Sequence, residues 1–436
     1  MLTRIHIRGY KSLDDCNVRL APLTVLFGPN AAGKSNFLDA LQLLSRIAAG
    51  PTLKEAFDPP CRGKPLESFT LDGEGIKGLL ARDSLSFSIE ADLRLSDAVV
   101  EAVEREIRLL RQPGRDGASA DRGRQTARVR ERDLRYRIEV EMIPRTGVLR
   151  VSDEFLGALN RKGEPTGRRL PFLERQGDKI HLRHEGQSHP TYIDRFLDRS
   201  ILSMPHYTPH HPHLAAARRE LEGWLFFYFE PRERMRAASP VKETRHIGLM
   251  GEELASFLNT MRASAPKQFE GVEKSLRLLI PSIEGIEVEI SEIGEVEIRL
   301  RENGISIPAR VVSEGTLRML GLLSLAGANE APTLVGFEEP ENGIHPKRIE
   351  LVAELLKTRQ SVGPAQYIVT THSPILPDRL PQESLYTVHR QNGRTKVDPL
   401  SGWGPLAKQP TIDDALTGDE DPLPVSARMM RGDFDA

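Results

Sequence analysis

The 436-residue sequence predicts an α/β fold with a mixed, largely parallel core sheet, an antiparallel β lobe and a small helical insertion lobe. Three observations predict it. A short apolar strand near the amino terminus leads into a glycine-rich loop and a helix, and strands alternate with helices after residue 314. Between these regions, polar and apolar residues alternate with a period of two, which is typical of antiparallel strands.

The composition is that of an ordinary globular chain, with 28% charged residues, 39% hydrophobic residues and a net charge of −2. This excludes a mostly disordered chain and one whose whole surface binds nucleic acid, although a local basic patch remains open. Two cysteines, Cys16 and Cys61, are too few for a disulfide scaffold. Since neither a signal peptide nor a run of about 18 apolar residues is found, we expect a cytoplasmic protein without a membrane partner.

The first elements are two strands and a helix. Residues 2–8 and 23–27 read as strands, and apolar residues recur at helical spacing from Phe37 to Ile47. Between the second strand and the helix lies GPNAAGKS, which matches G-x-x-x-x-G-K-[ST] in the required strand–loop–helix context. The motif predicts a phosphate-binding loop.

The chemistry of this loop follows from its residue types. Glycines allow backbone N–H groups to approach phosphate oxygens, and the helix that follows adds the positive end of its dipole. Lys34 can neutralise the β and γ phosphates, and the Ser35 hydroxyl can bind magnesium. The predicted nucleotide-binding residues of the loop are Gly28, Pro29, Asn30, Ala31, Ala32, Gly33, Lys34, Ser35 and Asn36.

The middle of the chain predicts an antiparallel sheet with helices attached. Residues 84–93 and 134–143 alternate cleanly, with a helix candidate at 97–112 between them. A helix interrupted near Pro266 is predicted over 252–279, and residues 286–308 read as a hairpin or meander. From residue 314 to residue 389, helices and strands alternate as in a parallel sheet.

An apolar strand at 333–338 ends in two acidic residues, Glu338 and Glu339. Carboxylates at the carboxyl end of a strand beside a phosphate loop suit a magnesium contact and a general base. We predict that Glu338 binds the metal, and that Glu339 orients or deprotonates the attacking water. The alternative is a pair of solvated acids at a strand end.

Two further elements belong to the same predicted site. The next strand, 366–371, is followed by His372, which can hydrogen-bond a terminal phosphate or the attacking water, although a lone histidine is commonly structural. Ser313 precedes the helix that opens with Glu314, Gly315 and Thr316, where it can act as an ordinary N-cap or help to bind an anion.

This order of elements resembles the ABC-type ATPase heads of the SMC, RecF and OLD (overcoming lysogenisation defect) families. It is most similar to the AAA-family predicted ATPases related to OLD, in which a Glu-Glu-Pro-Glu run replaces Asp-Glu. The resemblance covers about residues 1–48 and 309–380. It implies a P-loop NTPase fold of the ABC-head type.

The resemblance also implies a mechanism across two subunits, with ATP and Mg²⁺ as cofactors. Two ATP molecules are sandwiched between protomers, so Ser313, Glu314, Gly315 and Thr316 form a signature that acts on the partner's nucleotide. Asn342, Gly343 and His345 lie in the dimer loop, and His372 is the switch histidine. Arg8, Lys11 and Ser12 contact nucleotide. The SEGT signature departs from the SGG form of transporters, so the Glu314 charge must be kept from the phosphate.

The interval from Ser35 to Ser313 separates the two parts of the head and lacks long heptads, which argues for a compact insertion rather than a rod. The predicted domains are a discontinuous head at 1–50 and 305–395, an insertion at 51–304 and a tail at 396–436. The tail acids Asp413, Asp414, Asp419 and Asp421 lack supporting strands, so we expect a solvated tail without a Toprim nuclease domain.

An arginine-rich segment is the candidate nucleic-acid site. Residues 101–137 contain eleven arginines and seven acidic residues. The candidate phosphate contacts are Arg122, Arg124, Arg128, Arg130 and Arg132. The alternative is a solvated charged loop. The histidines at 206, 210, 211 and 213 fit no common metal spacing.

Together these features predict a magnesium-dependent ATPase whose heads dimerise on ATP. The expected partners are a second copy of the chain, DNA, and a separate nuclease or toxin effector, in DNA repair or antiphage defence. The alternative is a non-hydrolytic scaffold in which ATP gates a partner nuclease or toxin. A transporter ATPase is disfavoured by the large insertion and by the lack of membrane segments.

Overall fold

The computed structural model describes residues 1–111, 128–167, 170–185, 189–325, 332–363, 365–402 and 423–434. The chain divides into two compact units. The first unit consists of Met1–Ala21, Ser35–Trp224 and Arg390–Val397. The second unit consists of Pro22–Lys34, Leu225–His389 and Asp398–Ala436.

The first unit contains an eight-stranded antiparallel sheet in the order β2-β1-β4-β5-β6-β7-β8-β9. Its strands are β1 (Leu2–Tyr10), β2 (Leu13–Arg19), β4 (Leu85–Arg94), β5 (Asp133–Ile143), β6 (Val148–Ala158), β7 (Leu173–Gln176), β8 (Lys179–Leu182) and β9 (Thr191–Asp194). The predicted antiparallel lobe is therefore present.

The two-residue alternation of the sequence has a direct structural cause in this sheet. Along β5, every second residue is buried, from Leu134 to Met142, and the residues between them are half-buried. The other face of the sheet carries cross-strand ion pairs such as Arg135 with Asp92 and Arg137 with Asp153. One face therefore supplies apolar burial, while the other face is held by paired charges.

Five helices accompany this sheet: α1 (Lys34–Ala49), α2 (Leu53–Phe57), α3 (Ile76–Ala81), α4 (Asp97–Leu110) and α5 (Pro212–Glu222). α4 lies within the helix predicted at 97–112. Ser96 caps its amino terminus by accepting a hydrogen bond from the Val99 N–H, and the buried residues Val99, Val103 and Ile107 share one face.

Most strands of a six-stranded sheet, in the order β10-β15-β16-β3-β17-β18, belong to the second unit. The strands are β3 (Leu23–Phe27), β10 (Trp224–Phe227), β15 (Leu334–Glu338), β16 (Gln366–Thr371), β17 (Leu385–Gln391) and β18 (Arg394–Pro399). β15 pairs with β16, β16 with β3, and β3 with β17, all in parallel. The carboxyl ends of four neighbouring strands therefore lie at one edge, as the alternating pattern predicts.

A second, antiparallel sheet of this unit comprises β11 (Ser239–Pro240), β12 (Ile283–Ile290), β13 (Glu295–Glu302) and β14 (Ile305–Pro308). It confirms the meander expected over 286–308. Two helices, α6 (Leu254–Ser264) and α7 (Pro266–Leu279), pack on it. Pro266 is the first residue of α7, which explains the predicted interruption because proline lacks the N–H that a continuous helix needs.

The remaining helices of the described residues are α8 (Glu314–Ser324), α9 (Pro346–Val362), α10 (Ile375–Asp378) and α11 (Val425–Arg431). α8 and α9 confirm the helices expected after the signature serine and after the acidic strand. The helix expected over 374–379 is only the short α10. Among the described residues, no helix combines the length and the apolar character needed to cross a membrane.

The chain after residue 396 is more than the solvated tail that its composition suggests. β18 extends to Pro399, and Phe434 is buried with 1% exposure. The Phe434 ring meets the Phe27 ring edge-on with 5.1 Å between centroids, and the Arg428 guanidinium lies over Phe434. Aromatic burial therefore anchors this segment in the second unit. The four tail acids named above lie outside the described residues.

The predicted domain boundaries stay a prediction. Residues 225–304, which we expect within the insertion, belong to the second unit together with the parallel sheet.

Candidate functional site

The phosphate loop begins where the buried central strand β3 ends. Gly28 has φ +149°, and a Cβ on it would lie 2.1 Å from the Val388 carbonyl oxygen, so only glycine fits. Gly33 also has positive φ, and so does the non-glycine Ala31. The loop therefore has a backbone shape that few other residues would permit, as a loop that wraps a ligand requires.

Lys34 of this loop is buried, with 7% exposure. Its Nζ donates hydrogen bonds to the Gly28 and Pro29 carbonyl oxygens at 2.8 Å and 2.9 Å. Burial lowers the pKa of Lys34, while the carboxylates of Glu339, Glu338 and Glu341 oppose that shift. The lysine of the loop suits a phosphate, and the carboxylates that act on it suit a metal ion. The two kinds of group together therefore suit a phosphate with its metal ion.

The two predicted acids lie at the carboxyl end of the buried strand β15. Glu338 is its last residue and is 6% exposed. Glu339 takes a left-handed conformation with φ +49°, and its N–H donates to the Thr370 carbonyl oxygen at 2.9 Å. A non-glycine residue in this conformation is strained, and such strain is concentrated at functional sites.

The predicted switch histidine contacts the predicted base. His372 Nδ1 lies 2.9 Å from Glu339 Oε1. Parallel pairing explains the contact, because Glu338 lies beside Thr370 and Thr371 lies beside Phe27 in the register of the sheet. Residues that follow three adjacent strands are thus gathered at one edge, as expected of ligand sites in open α/β sheets.

A third carboxylate, Glu341, belongs to this cluster, although we assigned it no role from the sequence. It is 4% exposed, and its Oε1 accepts a hydrogen bond from Thr371 Oγ1. Burial raises the pKa of Glu341, and the Thr371 hydrogen bond opposes this. The Glu-Glu-Pro-Glu run was the available sequence signal for Glu341, because it places a third acid close to the strand end. An acid that is buried there rarely lacks a partner.

The signature residues lie at the amino terminus of α8. Ser313 is exposed and is the N-cap, accepting a hydrogen bond from the Thr316 N–H at 3.3 Å. A Cβ on Gly315 would lie 2.8 Å from the Gly343 carbonyl oxygen. The signature and the predicted dimer loop therefore touch within one chain, and glycine at 315 permits that approach.

The charge of Glu314 is paired. Glu314 Oε1 accepts a hydrogen bond from Arg232 Nε at 2.8 Å. Both side chains are substantially exposed, so the pair adds little stability, but it does direct the carboxylate toward a cation. The Glu314 charge, which the SEGT prediction requires to be kept from the phosphate, is thus paired with an arginine.

A neighbouring arginine binds the backbone of the residues that precede the signature. Arg236 donates hydrogen bonds to the carbonyl oxygens of Arg310 and Val312, at 2.9 Å and 3.3 Å, immediately before Ser313. The sequence shows only that 231–236 is arginine-rich, so this role was not predicted.

The predicted dimer loop lies on the surface. Asn342, Gly343 and His345 are exposed, and Gly343 has φ +72°. His345 is the N-cap of α9, where its side chain accepts a hydrogen bond from the Lys347 N–H. None of these three residues is buried in the core. A loop at a subunit interface must likewise be accessible.

The predicted nucleotide contacts near the amino terminus lie in the first unit. Lys11 Nζ pairs with Asp39 of α1 at 2.7 Å, and Ser12 Oγ accepts a hydrogen bond from Asn36 Nδ2 at 2.7 Å. Arg8 is mostly exposed and donates to His6. A cavity of about 310 Å³ adjoins Lys11, Ser12 and Asn36 and is also lined by Arg390 and Arg394. Ser35 is the second residue of α1.

A second cavity lies beside the phosphate loop in the second unit. It has a volume of about 260 Å³ and is lined by Gly28, Pro29, Asn30 and His372 on one side and by Met429, Met430 and Phe434 on the other. The segment after residue 423 therefore forms a wall next to the loop. The sequence gives no sign of this, because the contact joins residues about 400 positions apart.

The arginine-rich segment is described only from residue 128. Arg122 and Arg124 lie outside the described residues. Arg128, Arg130 and Arg132 are exposed, and Arg132 pairs with Asp97 at 2.6 Å. His213 Nε2 accepts hydrogen bonds from the backbone N–H groups of Arg130 and Glu131. The end of the segment is thereby tied to α5.

The histidines near residue 206 form a packed cluster. Ring centroids of His184 and His211 are 4.6 Å apart, and those of His206 and His211 are 5.3 Å apart. Within the described part of the chain, no group of three or more His, Cys, Asp or Glu side chains is arranged to hold a metal. A nucleotide-bound magnesium is different, because phosphates and water supply most of its ligands.

The stability of the first unit is expected to depend on this cluster. Burial, followed by His206 and His184, lowers the pKa of His211 from 6.5 to about 4. Between these values the unfolded chain binds a proton that the folded chain does not, so stability should fall as the pH drops from 6.5 to 4. In urea unfolding, His211→Gln should reduce this loss by on the order of 1–2 kcal/mol. An unchanged pH dependence in the variant would contradict this assignment.

The fold defines a class: it is the fold of the ABC-type ATPase heads, as found in SMC proteins. A solved SMC head bound to the C-winged helix domain of ScpA aligns with a TM-score of 0.51 at 12% identity, covering 91% of this chain and 97% of that one. An SMC head domain from Thermotoga maritima aligns with a TM-score of 0.40 at 14% identity, covering 92% and 98%.

The particular family follows from the sequence. The model of the family described as "AAA domain, putative AbiEii toxin, Type IV TA system" matches residues 23–100 and 118–378, so the chain belongs to that family. The OLD nuclease of Thermus scotoductus (strain ATCC 700910 / SA-01) is 41% identical over 44 residues, which is 10% of this chain and 8% of that protein. The match thus spans a small part of this curated relative.

Proposed function

We propose that this chain is a magnesium-dependent ATPase whose heads dimerise on ATP. The observation that carries the proposal is the buried Lys34 ammonium of the phosphate loop, faced by Glu338, Glu339 and Glu341. A structural turn has no need for a lysine and three carboxylates in one place, since burying charges costs free energy. The site therefore supports binding of a nucleoside triphosphate with its cation.

Each side chain has a role in this proposal. The loop N–H groups and Lys34 would bind the phosphates, and the Ser35 hydroxyl and the Glu338 carboxylate would hold Mg²⁺. When bound, that cation would neutralise charge on the transferred phosphate. Glu339 accepts a proton from the attacking water, while His372, in contact with Glu339, orients that water or the terminal phosphate.

Dimerisation is the second part of the proposal. Ser313 and Gly315 stand at an exposed helix amino terminus next to the exposed dimer loop. These features suit contact with the nucleotide of a second head, because helix amino termini attract anions. We propose that the cycle controls DNA handling or a nuclease or toxin partner. Arg128, Arg130 and Arg132 are the candidate DNA contacts, and the similarity to an OLD nuclease motivates the nuclease link.

ATP binding and turnover by the purified chain test the proposal. Lys34→Met should weaken ATP binding by about tenfold or more and abolish turnover, because a charge-assisted contact to phosphate is lost. Lys54→Met, at an exposed position of α2, is the matched control and should behave as the wild type. Binding would be measured by calorimetry and turnover by phosphate release, with and without DNA.

The outcomes separate the two candidate functions. Turnover that needs Mg²⁺ and is lost only in the Lys34 variant supports the ATPase. ATP binding without turnover in the wild-type chain would instead support the ATP-gated scaffold. If the Lys34 and Lys54 variants bind ATP equally well, the loop is not the nucleotide site.

A further inference from the structure

One of the two carboxylate oxygens of Glu341 has no hydrogen-bond partner among the described residues. Oε1 accepts a hydrogen bond from Thr371, whereas Oε2 is buried without any hydrogen-bond partner among the described residues. A buried carboxylate oxygen without a partner destabilises the folded state. A protein is expected to retain such a group where a bound ligand completes it.

We infer that Glu341 is a positioning residue of the nucleotide site whose Oε2 accepts a hydrogen bond from a water molecule that enters with nucleotide and cation. This inference rests on the proposed ATPase function. Thr371 fixes the orientation of the carboxyl group by holding Oε1, and Oε2 is left as the acceptor.

The position of Glu341 suits this role. Glu341 follows Glu339 by two residues in the acidic loop, and its partner Thr371 directly precedes His372. One hydrogen bond therefore ties the loop that carries the base to the strand that carries the switch histidine. The Glu341 carboxylate is also one of the groups that raise the pKa of Lys34 in the phosphate loop, against the effect of burial.

Three donors close to the carboxylate are used elsewhere. The Asn342 N–H donates to the Glu339 carbonyl oxygen, and the Ile344 N–H donates to the Glu341 carbonyl oxygen. The Ser373 N–H donates to Thr371 Oγ1 at 3.0 Å. The Glu341 backbone N–H acts on its own carboxyl group and lowers its pKa, yet Oε2 stays without a hydrogen-bond partner among the described residues. A donor for Oε2 is therefore most simply supplied by a molecule that binds.

A purely structural latch makes different predictions. If Glu341 served only to accept the Thr371 hydrogen bond, a glutamine would replace it fully, because its carbonyl oxygen can take the place of Oε1. The amide N–H₂ would then stand in the place of Oε2, where it donates but cannot accept. Glu341→Gln therefore separates the two roles.

The experiment compares three variants of the full chain with the wild type. Glu341→Gln tests Oε2, and Glu341→Met removes the carboxylate while Thr371 stays in place to accept the Ser373 N–H. Glu354→Gln, an exposed residue of α9, is the control. The measurements are kcat, KM and the Mg²⁺ concentration at half-maximal rate, the ATP dissociation constant, and the melting temperature without nucleotide.

We expect Glu341→Gln to lower kcat about tenfold to a hundredfold while the ATP dissociation constant changes by less than about threefold. A higher Mg²⁺ requirement would assign the water to the metal's hydration shell, and an unchanged one would assign it to the attacking water. We expect Glu341→Met to lose turnover yet melt at or above the wild-type temperature, since it removes a buried carboxylate with an unsatisfied oxygen.

Wild-type kcat in Glu341→Gln would overturn the inference, and so would a lower melting temperature of Glu341→Met. Failure of the proposed function looks different, since the wild-type chain itself would then neither bind nor hydrolyse ATP. In that case the melting comparison still decides whether Glu341 is held for a ligand or for the fold.

Discussion

Replacing Glu339 by glutamine is expected to lower ATP turnover by about 100-fold or more while ATP binding is kept. Glutamine preserves the size of the side chain and a contact with His372, which lies 2.9 Å from Glu339 Oε1. It cannot accept a proton from water, so the loss falls on the chemical step. The left-handed backbone of residue 339 is equally strained in both proteins, so the fold should not change.

The same variant is expected to accumulate as an ATP-bound dimer, because hydrolysis no longer separates the heads. Phosphate release measures the rate, and light scattering after gel filtration with ATP measures the dimer. Glu350→Gln is a suitable control because Glu350 is an exposed acid of α9. Ordinary turnover in the Glu339 variant would remove Glu339 from the role of base.

Replacing Ser313 by arginine is expected to abolish turnover, by about 100-fold or more, while a single chain still binds ATP. Ser313 is exposed and caps α8, so an arginine there would block the contact with the partner's nucleotide. Loss of the cap alone costs about 1 kcal/mol and leaves the helix folded.

Ser313→Asp controls for the cap. Aspartate is an equally good N-cap, so this variant keeps the helix end but places a negative charge where phosphate is expected. Both variants should lose turnover and keep ATP affinity within about threefold of the wild type. Mixing Ser313→Arg with Lys34→Met chains should restore part of the turnover, because one site of the mixed dimer has an intact loop and an intact signature. Turnover in either pure variant at the wild-type rate would contradict a signature that acts on the partner's nucleotide.

Local chemistry explains why much of the site could be predicted. Gly28, Gly33 and Lys34 lie close together in the chain, and the positive φ angles of the two glycines give the loop its backbone shape. Glu338 and His372 follow apolar strands, and parallel pairing of such strands brings their ends together. Periodicity likewise predicts α4 and the antiparallel strand β5, since burial on one face repeats at short intervals.

Other features depend on contacts between distant residues. The pairing of Glu314 with Arg232 and the bonds from Arg236 to the approach of Ser313 link segments about 70 to 80 positions apart. Phe434 reaches Phe27 across almost the whole chain. A sequence motif or a hydrophobic periodicity describes residues within one helix, strand or loop. It does not indicate which surface a side chain from a distant part of the chain will contact.

By itself, the sequence determined the phosphate-loop motif, the acidic end of a buried strand and the ABC-type fold, and it predicts the signature helix and the switch histidine. These depend on residue types at fixed spacing, which set backbone shape and strand ends directly. Only the tertiary structure decided that Glu341 keeps a buried oxygen without a partner and that the segment ending near Phe434 lines a cavity beside Gly28. Burial is a property of the packed chain, so the partner or lack of a partner of a side chain is defined only once distant elements have come together.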